Sequence, residues 1–268
     1  MSRARALLSA SAEFQLLRSL KENRRQRARQ GRFLVEGVRA IDVAVERGWP
    51  VASLLHPDGR RLSAWARGLL DSGVAAERVA VAPELWAELS DRDEPSELLA
   101  VLELPADDLS RVRPGLAVVF DRPSSPGNLG SVIRSADAFG ADGVVVTGHA
   151  ADPYDSQAVR ASQGALFALP VVRAGGAAEV DAWLERSGAR VVGSSARGSV
   201  ALAEADLSGD LVLVVGNEAR GMSAAWRERC DEVVAIPATG VAGSLNVAAA
   251  AAILLYEARR RRSAGGAA

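Results

Sequence analysis

The sequence predicts an α/β protein of two successive domains, the second built on a mostly parallel sheet. Three observations lead there. Short β-branched runs alternate with helical stretches along nearly the whole chain. A length of 268 residues exceeds what a single core usually fills. One polar stretch bounded by prolines, Pro105 to Pro114, interrupts the alternation.

Residues 10–30 read as one polar helix, and Phe33-Leu34-Val35 as a short strand ending at Glu36-Gly37. Helical stretches near 38–47, 61–72 and 83–90 then alternate with apolar runs at 51–55, 79–81 and 98–104, which closes a small layered domain over 1–105. Residues 106–114 show no sustained periodicity and are expected to form a linker. Over 115–268, strands are expected at 116–120, 144–147, 170–173, 190–193, 211–215 and 233–236. These are short and β-branched and lie between helical segments, as in a parallel sheet covered on both faces. The last helix is expected to start near Ser244 and run through the alanine-rich stretch to Arg262, where Arg259 to Arg262 suit the negative helix end. Gly265-Gly266 should fray beyond it.

Composition narrows the function. Hydrophobic residues make up 49% of the chain, yet no apolar run approaches the ~20 residues of a membrane span, so no membrane partner is expected. The N-terminus has no long apolar leader, and a cytoplasmic protein is the expectation. One cysteine and two histidines exclude an intramolecular disulfide and leave too few soft ligands for a typical zinc site, so no metal is expected. Net charge is -1, but Arg18, Lys21, Arg24, Arg25, Arg27, Arg29 and Arg32 crowd one early segment. Lys21 is the only lysine, so almost all positive charge sits on guanidinium groups, which grip phosphates bidentately and stack on bases. The cluster reads either as an RNA-contacting surface, with Arg24, Arg25, Arg29 and Arg32 as its candidates, or as a solvated helix face.

Chemistry concentrates in three segments at the carboxyl ends of expected strands, where open α/β sheets place ligands. In the first, Asp121-Arg-Pro-Ser-Ser-Pro-Gly-Asn128-Leu-Gly130-Ser-Val-Ile-Arg134, a Pro/Gly turn leads into a helix that Asn128 can cap, with Arg134 six residues on. A guanidinium there suits a phosphate or a developing alkoxide. The second, Gly216-Asn217-Glu218-Ala-Arg220-Gly221, follows a buried strand, and its glycines allow close backbone approach to a ligand. The third runs Ile236-Pro237-Ala-Thr-Gly240-Val-Ala-Gly243-Ser244-Leu245-Asn246, a small-residue loop whose backbone groups suit an adenine edge or a methionine carboxylate. No G-x-x-x-x-G-K-[ST] pattern occurs and no G-x-G-x-x-G follows a strand, which leaves triphosphate and dinucleotide binding without support.

In their joint order, Asn-Leu-Gly-x-x-x-Arg, Gly-Asn-Glu-x-x-Gly and Ile-Pro with Ser-Leu-Asn-Val resemble the three motifs of the SpoU/TrmH group of SPOUT RNA methyltransferases. The resemblance covers about residues 114–262, including Arg160-Ala-Ser162-Gln-Gly164. Gly31-Arg-Phe-Leu-Val-Glu36-Gly37 also resembles the L30e-like RNA-binding domain that precedes the catalytic domain in many members. The resemblance implies a SPOUT α/β-knot domain with a deep trefoil knot, which pattern alone would not suggest because knots are nearly absent from proteins. It implies a homodimer that methylates a ribose 2'-hydroxyl of structured RNA, ribosomal RNA ahead of transfer RNA, with S-adenosylmethionine as cofactor. On that carry-over Gly216, Asn217, Glu218, Ile236, Pro237, Ser244, Leu245 and Asn246 hold the cofactor. Asn128, Arg134, Glu218, Ser244 and Asn246 form the catalytic set, and Arg134 and Arg160 join the RNA contacts. Arg134 is expected to act through its charge, with the proton leaving through water, phosphate or Glu218. Two departures are visible: the first loop lacks the common Asp-Pro-Gly-Asn-like tract, and Ala238 stands where methionine is common. A non-catalytic RNA-binding protein that kept the fold is the first alternative, and a Rossmann-type nucleotide enzyme, lacking its fingerprint here, the second.

Overall fold

Asn23 divides the expected helix over 10–30 into two, α1 (Ala12–Glu22) and α2 (Arg24–Gln30). Its backbone is extended, and its side-chain oxygen accepts from the N–H groups of Arg25 and Gln26 at 2.9 and 3.2 Å, capping the second helix instead of continuing the first. The computed structural model describes residues 3–113, 115–241 and 243–265; Pro114 of the expected linker and Gly266 of the expected frayed end lie outside them. Two units emerge, one of Met1–Pro105 with Tyr154–Ala168 and one of Ala106–Pro153 with Leu169–Ala268.

The first unit carries a mixed sheet in the order β1-β4-β3-β5-β2. Its strands are β1 (Arg3–Leu7), β2 (Arg32–Glu36), β3 (Val51–Pro57), β4 (Ala75–Val81) and β5 (Leu99–Glu103). β1, β4 and β3 run parallel, and β5 is antiparallel to both β3 and β2. β1 was not expected from the sequence, although Arg3-Ala-Arg-Ala-Leu7 has the period of two that an edge strand shows. α3 (Val38–Glu46), α4 (Ala64–Asp71) and α5 (Pro83–Leu89) connect the strands. Phe14, Leu17, Leu34, Leu55, Val79 and Trp86 belong to the core between sheet and helices.

The second unit begins with β6 (Leu116–Asp121), α6 (Pro126–Ala138) and β7 (Gly143–Thr147). The chain then contributes α7 (Ser156–Ser162) and α8 (Ala165–Ala168) to the first unit, an excursion the linear division at 105–115 did not anticipate. There Phe33 packs against the rings of Trp49, Tyr154 and Phe167, and Trp49 donates its indole N–H to the Phe167 carbonyl at 3.1 Å. Back in the second unit come β8 (Val171–Ala174), α9 (Ala177–Ser187), β9 (Arg190–Ser194), β10 (Val200–Ala201), β11 (Leu211–Val215), α10 (Ala224–Arg229), β12 (Glu232–Ala235) and α11 (Val247–Gly265).

All seven strands of this sheet are parallel, in the order β10-β12-β9-β11-β6-β7-β8. β6, β7 and β11 are buried at every position, which explains why they read as continuous apolar runs. One core cluster gathers Val119, Val145, Val214, Trp183 and Trp226, while α11 packs on α6 and β11 through Ala251, Leu254, Leu255 and Ala258. The expected linker is part of this unit: Asp107 accepts two bonds from Arg173 at 2.9 Å, and buried Val112 accepts the Trp183 indole N–H at 3.0 Å.

Three expectations for the last helix change, the first at its end, where the helix continues past Arg262 and takes in Gly265. It starts at Val247, because the side chain of Asn246 accepts from the N–H of Ala248 at 2.8 Å and caps it. Arg261 and Arg262 reach across to carbonyls of Leu202, Ala203, Ala205, Gly115 and Gly209 rather than resting on the end of their own helix. Parallel pairing brings the carboxyl ends of β6, β11, β9 and β12 to one edge of the sheet, with Phe120 opposite Val215 and Ser194 opposite Val234. The loops that leave those ends build the site.

Candidate active site

A cleft of about 850 Å³ opens among the loops after β9, β11 and β12, inside the size range of pockets for small organic ligands. Ser194, Ser195 and Arg197 border it on one side, the turn Gly216–Gly221 on another, and Ile236, Pro237, Gly243, Ser244 and Leu245 on a third. Val215, Ile236, Leu245 and Val247 supply apolar wall. Gly216 is required by packing, because a Cβ there would collide with the backbone of Gly221 and Met222. Of the residues expected to hold a cofactor, Gly216, Asn217, Glu218, Ile236, Pro237, Ser244 and Leu245 line this cleft, and Asn246 does not.

Asn246 joins the site through a chain of hydrogen bonds instead. It donates to the side-chain oxygen of Asn128 at 3.1 Å, and Asn128 donates to the Glu218 carboxylate at 3.1 Å. Glu218 also accepts from the Ser124 N–H and hydroxyl, at 2.9 and 2.7 Å, and from the Ser125 N–H at 3.1 Å. Three segments more than a hundred residues apart at their extremes are therefore linked, the Ser124–Asn128 loop bonding Glu218 directly and Asn246 reaching it through Asn128. Burial raises the Glu218 carboxyl and is the largest single influence, but bonds from Ser124, from its own backbone and from Asn128 together outweigh it and hold the group at about 2.

Asn128 is free for this role because it does not cap α6. Ser125 is the cap, accepting from the N–H of Asn128 at 3.3 Å, with Pro126 in the first helical turn. Asn217 shapes its own turn: its side-chain oxygen accepts from the N–H groups of Ala219 and Arg220, each at 3.0 Å. Arg134 stands exposed farther along α6 and does not line the cleft. Ser244 is exposed on the loop before α11. Cys230 is no nucleophile here, since burial and then the Asp231 charge push its thiol up to about 11.

In the first unit the arginine cluster separates by role. Arg27 is 2% exposed and donates to the carbonyls of Leu20 and Lys21 at 3.0 and 2.8 Å, so it is structural. Lys21 donates to the carbonyls of Glu88 and Ser90, and Arg18 pairs with Glu22 and Glu88. Arg24, Arg25, Arg29, Arg32 and Arg160 all face solvent, with Arg32 3.7 Å from Glu103.

Sequence reasoning missed Ser194, Ser195 and Arg197, and with them the contribution of the loop after β9 to the cleft. The only signal was position, at the carboxyl end of an expected strand. In sequence Ser124 is only a loop residue of the first segment. Its role follows from a contact with Glu218 across 94 residues of sequence, which no local pattern announces.

A fully parallel sheet with a backbone-lined cleft at its carboxyl edge, and a tethered polar cluster beside it, defines a small-molecule-binding α/β domain with the parts of a group-transfer site. Comparison with known proteins makes this specific. The SpoU rRNA Methylase family model matches residues 115–256, and the SpoU L30e-like domain matches residues 11–100. The chain is 49% identical to a 23S rRNA (uridine(2479)-2'-O)-methyltransferase of Streptomyces viridochromogenes, over 91% of this chain and 88% of that one. It is 32% identical to the 23S rRNA (guanosine(2553)-2'-O)-methyltransferase RlmP of Bacillus subtilis, over 84% and 87% of the two chains. The crystal structure of the SpoU methyltransferase AviRb from Streptomyces viridochromogenes, in complex with AdoMet, superposes with a TM-score of 0.89 at 49% identity, covering 94% of this chain and 98% of that one. The chain belongs to the SpoU rRNA methylase family.

Proposed function

We propose that this protein transfers a methyl group from S-adenosylmethionine to a ribose 2'-hydroxyl of large-subunit ribosomal RNA. The observation that carries the reading is the convergence on Glu218, which ties the Asn128 loop and the start of α11 to the turn that borders the cleft. The cleft suits the cofactor by size and by its mix of apolar wall and open backbone. Gly216, Asn217, Ile236, Pro237, Ser244 and Leu245 hold it, and when bound it supplies an electrophilic methyl on a sulfonium.

The protein's own groups then do three things. Asn128 and Asn246, fixed to each other and to Glu218, orient the sugar, because a reaction of this type depends on alignment of nucleophile and methyl. Arg134, permanently charged and solvent-facing, grips the adjoining phosphate and stabilises the forming alkoxide. Glu218 is a positioning residue and not the proton acceptor, since a carboxylate held at about 2 and loaded with donors is a poor base. The proton leaves through water or phosphate. Arg24, Arg25, Arg29, Arg32 and Arg160 are the RNA contacts of the first unit. The two relatives act by name at a uridine and at a guanosine, so the reading commits to the RNA and not to the base.

Two features complete the reading. The C-terminal part of the chain forms a trefoil knot, supported by β11 inserting between β6 and β9 while β12 pairs beyond β9. The working form is a homodimer, supported by Ile253 and Tyr256 standing exposed on α11, with Tyr256 edge-on to Phe139 after α6. No group of three or more potential metal ligands occurs among the described residues, and no helix among them is long and apolar enough to cross a membrane.

Substitution of Arg134 tests the mechanism. Arg134→Ala is expected to bind S-adenosylhomocysteine normally and to lose roughly 10²- to 10³-fold in the methylation rate. A variant that binds cofactor and RNA yet methylates at near the parental rate would remove Arg134 from the catalytic set.

A further inference from the structure

We propose that Arg122, a residue outside the three motifs, is a positioning residue for the cofactor: it holds the Asn217–Gly221 turn in the shape that borders the cleft. The inference rests on the cofactor reading above and adds to it a residue in the very loop where this sequence departs from its family's pattern.

Arg122 has φ 53, and among the described residues other than glycine only Gln163 shares a positive φ. Side chains of L residues adopt this conformation rarely, and it persists where the surroundings over-determine it. They do so here from four directions. The Arg122 N–H donates to the Thr147 carbonyl at 2.9 Å. The Arg122 carbonyl accepts the side-chain amide of Asn217 at 2.8 Å. The guanidinium donates twice to Asp121, at 3.1 Å through Nε and 3.1 Å through Nη2, and once more through Nη2 to the Gly221 carbonyl at 3.2 Å. Gly148 leaves the space the side chain crosses, since a Cβ on it would stand 2.7 Å from Arg122 Cγ.

Both ends of the turn thus hang from one residue. The carbonyl of Arg122 takes Asn217, its guanidinium takes Gly221, and these two turn residues also bond each other backbone to backbone at 2.8 and 3.1 Å. Asp121, whose side chain is 4% exposed, anchors the guanidinium and accepts the N–H of Ser223 at 2.7 Å, which fixes the far side of the turn at the start of α10. Gly216, Asn217 and Gly221 all line the cleft, so a turn released from Arg122 changes the shape of the cofactor wall. The Glu218 contacts with Ser124, Ser125 and Asn128 do not involve the guanidinium. Cofactor affinity should therefore suffer before the chemistry does.

Titration calorimetry of S-adenosylhomocysteine with the full chain, alongside steady-state methylation, tests this. Arg122→Gly keeps the left-handed backbone without strain and leaves the carbonyl in place for Asn217, so it removes the side chain, stem and guanidinium together, and no backbone contact. It is expected to weaken binding about tenfold, the loss of one well-placed contact to a charged group, and to raise KM for S-adenosylmethionine in parallel. Its kcat at saturating cofactor should stay within about threefold of the parent. Arg122→Lys, which can reach Asp121 or Gly221 but not fork to both, is expected to recover part of the affinity and serves as the second test should the glycine variant not fold. Binding by Arg122→Gly within about twofold of the parent, or a fall in kcat with KM unchanged, overturns the proposal. A parental chain that fails to bind S-adenosylhomocysteine overturns the cofactor reading itself, a different outcome from a parent that binds and a variant that binds equally well.

Discussion

Glu218 shows how one carboxylate decides the local geometry. Each of its oxygens accepts two hydrogen bonds of 3.1 Å or less, from donors on a loop 90 to 94 positions away in sequence. Glutamine at this position keeps one acceptor oxygen and turns the other into a donor facing donors. Glu218→Gln is therefore expected to cost about 1 to 3 kcal/mol of stability at neutral pH, measured by urea unfolding. The pH dependence has a definite sign. The carboxyl is held below its ordinary value in the folded chain, so its contribution is complete above the ordinary carboxylate range and is lost as pH falls toward about 2. The parent should lose stability across that window, and the glutamine variant should lose less. Equal acid limbs in the two proteins would show that Glu218 does not carry the network.

At the scale of elements, α11 is held at both ends by contacts that its own sequence does not announce. Asn246 caps its start, and Arg261 bonds the carbonyls of Leu202, Ala203 and Ala205, three residues before β11 of which Leu202 and Ala205 are buried. Arg261→Ala is expected to lower stability by about 1 to 2 kcal/mol, a fall in Tm of roughly 2 to 8 °C for a domain of this size, read by calorimetry. An unchanged Tm would mean that these bonds merely replace water. Such contacts mark the limit of what was legible in the sequence. Strand positions were readable because β6, β7 and β11 are buried on both faces and must be apolar throughout. The break at Asn23 was not, since a side chain that caps one helix competes only locally with the helix before it. The second and third motifs announced Gly216, Asn217, Glu218, Ile236, Pro237, Ser244 and Leu245 of the cleft but not Ser194, Ser195 or Arg197, and the tie from Ser124 to Glu218 depends on which strand ends the parallel pairing brings together.

At the scale of the whole chain, the boundary between units follows packing and not sequence order. Tyr154–Ala168 leaves the parallel sheet between β7 and β8 to complete the first unit, where Tyr154 and Phe167 surround Phe33. A linear reading placed that segment with its neighbours because its apolar residues have no label for the core they join. A cleft and a hydrogen-bonded polar cluster stand at one sheet edge, and we propose that the first holds S-adenosylmethionine and the second a ribose of ribosomal RNA. The most direct test of this claim is to incubate the purified chain with S-adenosylmethionine and unmodified 23S rRNA and to map 2'-O-methyl groups along the RNA. One new methyl at a defined ribose, dependent on the cofactor and formed roughly 10²- to 10³-fold more slowly by Arg134→Ala, is expected. A folded chain that binds S-adenosylhomocysteine yet leaves every ribose of that RNA unmodified would contradict the claim.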